Sequence, residues 1–295
     1  MHNGGVRKQQ TLQKSAELNG FGFFTGIDAT LRLLPADEHH GIVFERTDLP
    51  GRPRVDATIG NVSSANRRTL IKDGDAEVQL VEHLMAAFAG LQVDNVLVQI
   101  DGPEVPGFDG SARDFCQAIL NAGICGQRAE VRAATVCRNW STIDKANGTE
   151  ISVRPHIRRL AAVTYHLDYG HRSPIEPQLL SVELTPDVFL REISWSRTFV
   201  LESEVEQLRK AGFGTRVSEK DLLVFGDSGV LGNKLRSPDE CVRHKILDCV
   251  GDFALFGGDI YGHFDAWRSG HGQNHEVVRQ VHEFASPLGS HLSAA

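Results

Sequence analysis

The sequence predicts an α+β protein made of two halves of similar size. Strand-like and helix-like segments follow in the order strands, helix, strand, helix, and the same order then repeats. Grouped strands next to helices are typical of α+β folds. A polar stretch at 126–132 separates the two series, so we expect one domain at residues 1–126 and a second at residues 127–295.

In the first half, short apolar runs bounded by turn residues predict strands at 30–33, 41–44 and 96–100. A helix is predicted between the second and third of these strands, with an apolar stripe formed by Val78, Val81, Met85 and Phe88. Gly90 can cap the end of that helix. A second helix is predicted to start at Ser111, with Asp114 completing a capping box, and to end at Gly123.

In the second half, period-two patterns and buried runs predict strands at 151–153, 160–167, 179–184, 222–225 and 260–267. A short amphipathic helix is predicted near residue 205, with Leu201, Val205 and Leu208 facing inward and Gly212 as its stop. A closing helix is expected at 269–284. We expect the remaining residues, from 286 onward, to be frayed.

The segment 237–258 predicts a helix with clear ends. Ser237 and Glu240 form a capping box, Pro238 takes the first helical position, and Gly257 and Gly258 supply a left-handed stop. At about 100° per residue, a broad apolar stripe lies opposite a second stripe that holds His244 and its polar neighbours. An ionisable row flanked by apolar residues predicts a cleft rather than a solvated face.

That polar stripe contains His244, Asp248 and Asp252. Residues four apart on a helix project side by side, so His244 and Asp248 can bind one metal ion. An imidazole, a carboxylate and one further ligand suit a catalytic zinc that keeps an open position. The alternative is a solvated ion pair on the helix surface.

A second pair of candidates, Glu82 and His83, lies in an otherwise apolar helix. Burying such a pair is costly unless something binds it. The pair is therefore either functional or a satisfied core histidine beside a glutamate at the rim.

Composition narrows the function classes. The net charge of −7 argues against binding of a nucleic-acid backbone. The start of the sequence leads into no apolar signal region, and no apolar run is long enough for a transmembrane segment. Five cysteines without a C-x-x-C pattern predict free thiols in a reducing compartment. We therefore expect a cytoplasmic location.

Five segments in order give the chain a family resemblance: VEHLMAAFAGLQVDN, PEVPGFDGSARDF, SRTF, VRHKILDCVGD and SGHGQNH. The chain resembles the zinc-dependent UDP-3-O-acyl-N-acetylglucosamine deacetylases of lipid A biosynthesis from about residue 10 to residue 284. The resemblance implies two domains, each a sheet with helices on one face. The two helical layers would pack together as a β-α-α-β sandwich, with the active site between the domains.

The resemblance also implies residue roles. His83, His244 and Asp248 would bind Zn²⁺, which leaves a fourth position for water. Glu82 would act as the general base and His271 as the general acid. Asp252 would keep His271 protonated by charge pairing.

Three further positions complete the implied site. Thr198 would donate a hydrogen bond to the oxyanion. Lys245 would face the diphosphate of a UDP-linked acylated amino sugar, and Phe199 would lie near the sugar. The fatty acyl chain would occupy an apolar passage formed by 201–225. A monomer is expected, with no nucleic-acid partner.

Alternatives remain open. His271 and His275, also four residues apart, could form the metal pair of an unrelated zinc hydrolase. The chain could instead be a deacetylase of a related acylated sugar nucleotide, or a non-catalytic protein that binds sugar nucleotides or lipids. Departures from the family pattern occur at Phe24, in the loop 226–237 and at 272–273.

Overall fold

The structure is a computed structural model that describes residues 6–288. Its helices are α1 (Glu82–Gly90), α2 (Arg113–Ala122), α3 (Pro186–Val188), α4 (Glu202–Lys210), α5 (Glu240–Phe253) and α6 (His271–Phe284). Single 3-10 turns lie at Ile59–Asn61 and Ala254–Phe256, and a π turn lies at Phe189–Ile193. Within residues 6–288, every helix is too short or too polar to cross a membrane.

The strands of the first half are β1 (Lys8–Leu12), β2 (Ala16–Phe21), β3 (Asp28–Pro35), β4 (Ile42–Arg46), β5 (Arg54–Asp56), β6 (Val62–Ser63), β7 (Leu70–Asp73), β8 (Ala76–Gln79) and β9 (Val96–Ile100). Five of them form a sheet in the order β2-β3-β9-β4-β5, and β6-β7-β8 form a small antiparallel sheet. On β9, Val96, Val98 and Ile100 alternate with more exposed residues and are fully buried. This alternation gives the sheet one covered face.

The strands of the second half are β10 (Ile124–Glu130), β11 (Ala133–Val136), β12 (Trp140–Asp144), β13 (Thr149–Arg154), β14 (Ala161–Leu167), β15 (Gln178–Glu183), β16 (Phe199–Leu201), β17 (Leu223–Gly226), β18 (Gly229–Leu231), β19 (Asp259–Trp267) and β20 (Ala285–Leu288). A seven-stranded sheet is built on β19, which runs antiparallel to β13 and parallel to β11 and β14. The predicted domain boundary after residue 126 lies within β10, which pairs with β1, and the division into two domains stays a prediction.

The two halves meet where α1 packs against α5. Every residue of α1 from Glu82 to Phe88 is buried, as expected for a short helix that is apolar on nearly all sides. At Gly251 of α5, a Cβ atom would lie 2.0 Å from the carbonyl oxygen of Glu82. Glycine therefore lets the two backbones touch. The predicted α+β class, with a sheet in each half and helices in contact between them, is confirmed.

The capping box predicted for α5 is wrong. The helix begins at Glu240, Asp239 is at its N-cap, and no side chain caps it. The hydroxyl of Ser237 instead donates to Asp239. The carboxylate of Glu240 accepts hydrogen bonds from Arg197. The side chain that was predicted to cap the helix therefore belongs to a buried ion pair. The left-handed stop is confirmed at Gly257, with φ at 73°, whereas Gly258 is not left-handed.

Two ends in the first half also differ from prediction. Helix α2 begins at Arg113, after an N-cap at Ala112, and the hydroxyl of Ser111 donates to Asp109 while it accepts the backbone N–H of Arg113 at 3.2 Å. Its predicted end at Gly123 is confirmed. Gly90 is the last residue of α1 rather than its cap.

Three other differences concern element type, burial and pairing. Val78 lies on β8 rather than in the helix. Helix α4 has no buried residue, so Val205 and Leu208 are half-buried rather than part of the core. The predicted frayed tail is wrong for the stretch up to 288, because β20 pairs with β11, and residues 289–295 lie outside the described residues. All five cysteines are free, as predicted.

Candidate active site

Three predicted metal ligands converge where α1 meets α5. His83 lies in the first turn of α1, and His244 and Asp248 lie one turn apart on α5. One nitrogen or oxygen atom from each lies within 4.8 Å of the others. Asp248 Oδ1 is 3.7 Å from Nε2 of His83 and 3.3 Å from Nε2 of His244. His83 and Asp248 are 165 positions apart in the chain, and the sequence analysis correctly placed them close together.

The charges of these donors suit a divalent metal ion. His244 Nδ1 donates to the backbone carbonyl of Ser196 at 3.1 Å, which leaves Nε2 with a free lone pair. Burial lowers the pKa of His244 to about 3, so the ring is neutral near pH 7. Burial would raise the pKa of Asp248, but the ammonium of Lys245 holds it well below its usual range. Two imidazoles and an ionised carboxylate form a donor set that fits zinc.

Glu82 and His271 face each other beside these donors. Glu82 is fully buried at the start of α1, and its Oε2 accepts the backbone N–H of Thr69 at 3.0 Å. Its Oε1 lies 3.9 Å from Nε2 of His271, at the start of α6. Burial raises the pKa of the Glu82 carboxyl, and the charge on His271 opposes that rise.

His271 is held by Asp252, as the resemblance implies. Its Nδ1 donates to Asp252 Oδ2 at 2.8 Å. Burial would lower the pKa of His271, but the carboxylate of Asp252 raises it to about 9. Burial would raise the pKa of Asp252, but His271 and His275 hold it well below its usual range. An anion and a cation are thus paired in the interior.

The remaining predicted residues line the same cavity. Thr198 is fixed by its backbone, which donates to Gly110 at 2.7 Å and accepts from Leu223 at 3.0 Å. The ring of Phe199 lies 6.1 Å from that of His244. Nζ of Lys245 donates to Asp248 Oδ2 at 2.8 Å, so its positive charge stabilises the carboxylate of a predicted metal ligand.

The cavity over these residues has a volume of about 650 Å³. One part of its wall is polar and aromatic, and includes Tyr165, Asp168, Tyr169 and Arg268. Another part comes from α4 and the chain segment that follows it up to β18, and includes Val205, Leu208, Phe213, Val217, Leu222 and Leu231. The site therefore has an apolar side and a side able to bind polar groups.

In the rival metal pair, one ring nitrogen of each histidine contacts Asp252. Nε2 of His275 lies 3.0 Å from the hydroxyl of Thr69 and 3.3 Å from Asp252 Oδ1, so this nitrogen is engaged inside the protein. Within residues 6–288, no second group of three such ligands lies close enough to share an ion.

Sequence reasoning missed two buried partnerships. Thr69 contacts both Glu82 and Asp252, and Arg197 pairs with Glu240 at 2.8 Å. Arg197 stands in the quoted SRTF segment, which is the one signal that could have found it. Thr69 follows two arginines in a polar stretch, where no local pattern indicates a role.

Comparison with known proteins agrees with this geometry. The family model for UDP-3-O-acyl N-acetylglycosamine deacetylase matches residues 9–283. The chain belongs to this family. A deacetylase of that name from Myxococcus xanthus is 38% identical over 274 residues, covering 92% of this chain and 86% of the relative. One from Chlamydia abortus is 36% identical over 282 residues, covering 95% and 99%.

Phe24 is one of the positions where a departure from the family pattern was expected. It lies under the guanidinium of Arg68, with 4.1 Å between the carbon of that group and the ring centroid. Both residues belong to the first half, and Arg68 also faces the ring of Phe213 at 5.7 Å. Phe24 therefore forms a cation–π contact near the apolar side of the cavity.

Proposed function

We propose that this chain is a zinc-dependent hydrolase that removes the N-acetyl group from UDP-3-O-acyl-N-acetylglucosamine and releases acetate, a step of lipid A biosynthesis. One observation carries the proposal: His83, His244 and Asp248 converge beside the pair formed by Glu82 and His271. The names of the relatives supply the substrate. A related acylated sugar nucleotide is the second candidate substrate, because the polar part of the cavity wall would bind either.

Zn²⁺ would be held by His83, His244 and Asp248, whose donor atoms and charges fit it. When bound, zinc lowers the pKa of a water molecule and polarises a carbonyl group. Ser196 and Lys245 support the ligands, since one orients His244 and the other keeps Asp248 ionised.

Glu82 and His271 would move the protons of the reaction. Glu82 accepts a proton from the water whose oxygen adds to the acetamide carbonyl carbon. His271, kept cationic by Asp252, donates a proton to the nitrogen as the C–N bond breaks. The products are acetate and a free amine. Thr198, fixed in place by its backbone, would donate a hydrogen bond to the oxyanion.

The cavity wall would place the rest of the substrate. Lys245 would face the diphosphate and Phe199 would lie near the sugar. The apolar face of α4, with Val205 and Leu208 half-buried against the cavity, would receive the fatty acyl chain. We further propose that the protein acts as a monomer in the cytoplasm, where its five free thiols would stay reduced.

The test separates catalysis from binding. Glu82→Ala should keep about one zinc ion per chain, since Glu82 is not a ligand, and should abolish acetate release. Glu77→Ala is a suitable control, because Glu77 forms only a partly exposed pair with Lys72 nearby. If Glu82→Ala retains full activity, the chain does not use this base. If the wild-type chain binds the substrate without releasing acetate, it is a non-catalytic member of the family.

A further inference from the structure

Thr69 is a buried residue that belongs to neither the metal ligands nor the proposed acid and base. It precedes β7 in the first half and is fully buried. Its backbone N–H donates to Glu82 Oε2 at 3.0 Å, and its hydroxyl lies 2.6 Å from Asp252 Oδ1. One residue therefore contacts the proposed base and the carboxylate that holds the proposed acid.

The direction of these bonds follows from the chemistry of a hydroxyl. Thr69 Oγ1 has one hydrogen, and the short contact is to an ionised carboxylate, so Thr69 donates to Asp252. The hydroxyl must then accept from His275 Nε2, which lies 3.0 Å away. Oδ1 of Asp252 is thereby bound, while Oδ2 accepts from His271 and Asn274, each at 2.8 Å. Both oxygen atoms of the Asp252 carboxylate are therefore held by hydrogen bonds.

A fixed carboxylate matters because Nδ1 of His271 takes its direction from Asp252. If Asp252 rotated, Nε2 of His271 would move relative to Glu82, from which it is 3.9 Å in this structure. General acid and base must both reach the reacting atoms within hydrogen-bond distance. Displacements of about 1 Å in such sites can reduce the rate by about a hundredfold.

We infer that Thr69 is a positioning residue for the reaction: its backbone orients Glu82 and its hydroxyl orients His271 through Asp252. The inference rests on the proposed function for its effect on rate. Thr69 comes from the first half, whereas Asp252 and His271 come from the second. Thr69 therefore sets the position of the acid relative to the base across the contact between the halves.

The test uses variants that remove or restore the Thr69 hydroxyl and keep the backbone N–H. Thr69→Val keeps the backbone N–H and the side-chain shape, and should lower kcat by about 10- to 100-fold with KM and zinc content unchanged. Thr69→Ser restores the hydroxyl and should recover most of kcat. Thr142→Val is the matched control, because Thr142 is also buried but its hydroxyl has no partner. If Thr69→Val does not fold, Thr69→Ala replaces it.

A double-mutant cycle tests the route through Asp252. In the background of Asp252→Asn, Thr69→Val should cost less than about threefold in kcat, because the group it orients is already changed. An equal loss in both backgrounds, or no loss in the wild-type background, would overturn the inference.

A spectroscopic measurement separates this inference from the proposed function. The imidazole nitrogen signals of His271 and His275 in NMR spectra should shift in Thr69→Val and stay in place in Thr142→Val. Unshifted signals would overturn the role of Thr69, whatever the activity. Absence of acetate release from the wild-type chain would instead refute the proposed function. The NMR result would still show whether the Thr69 hydroxyl contacts Asp252 and affects His271.

Discussion

Replacing Asp252 by asparagine removes the charge that keeps His271 protonated. The two side chains are joined by a 2.8 Å hydrogen bond, and the carboxylate of Asp252 is fully buried. Burial lowers the pKa of His271, and the nearby carboxylate raises it to about 9. Without that carboxylate, burial is opposed only by the weaker effects of Asp248 and Glu82, so the pKa of His271 should fall toward its ordinary value of about 6.5.

The size of the effect follows from these values. At about pH 7.5, a group with a pKa of about 9 is about 97% protonated, and a group with a pKa of about 6.5 is about 9% protonated. Asp252→Asn should therefore reduce the acid form of His271 by up to about tenfold. Because the protonated form is the proposed acid, wild-type activity should be lost as pH rises through the pKa of His271, and the variant should lose activity up to about two pH units lower.

The assay is the pH dependence of kcat/KM for acetate release by the metal-loaded enzyme. A divalent ion nearby lowers the pKa of His271 in both proteins, so the difference between them is the quantity to compare. Asp265→Asn is a control, because Asp265 pairs with a different histidine, His166, at 2.9 Å in a partly exposed position. Coinciding alkaline limbs for wild type and Asp252→Asn would refute the pairing of His271 with Asp252 as the source of the acid.

Three further substitutions test other parts of the structure. Gly251→Ala places a methyl group 2.0 Å from the carbonyl oxygen of Glu82, so calorimetry should show a melting temperature lower by about 2–10 °C. Arg197→Met leaves Glu240 buried without its partner, and urea unfolding should show a loss of about 3–5 kcal/mol. His275→Ala should leave about one zinc ion per chain by metal analysis, because this histidine is not a ligand in the proposed site.

Each of these has a contradicting outcome. Gly60→Ala is the control for the first, since a Cβ there meets nothing within 4 Å, and equal melting temperatures for the two alanine variants would refute the close approach. Unchanged unfolding of Arg197→Met would mean that Arg197 does not stabilise the buried carboxylate. Loss of zinc from His275→Ala would support the rival metal pair.

Local patterns in the sequence predicted that two polar side chains of α5 share one face, and their role as metal ligands stays a prediction. His244 and Asp248 share a face because they are one helical turn apart, and this holds whatever the helix packs against. The apolar residues on either side correctly indicated that this face is buried. His83 could be joined to them only through the ordered motifs, because its distance to α5 depends on how two halves pack.

Contacts between distant segments could not be predicted in the same way. Glu240 stands three residues after a serine, and this pattern indicated a cap, but burial beside Arg197 offered the carboxylate a charged partner. Thr69 and Asp252 are 183 residues apart, and the sequence around one residue gives no sign that it contacts the other. The apolar stripe on α4 correctly indicated that one face of this helix is apolar. Such a pattern does not indicate whether that face packs against the core or lines an open cavity.

The absence of a side chain at Gly251 has a consequence for how activity arises during folding. The backbone contact that this glycine permits joins Glu82 and His83 on one side to His244 and Asp248 on the other. Neither side alone holds enough donors to retain an ion or both groups needed to transfer protons. A chain in which only one half has folded is therefore inert, and the appearance of deacetylase turnover during refolding would time the docking of the two halves.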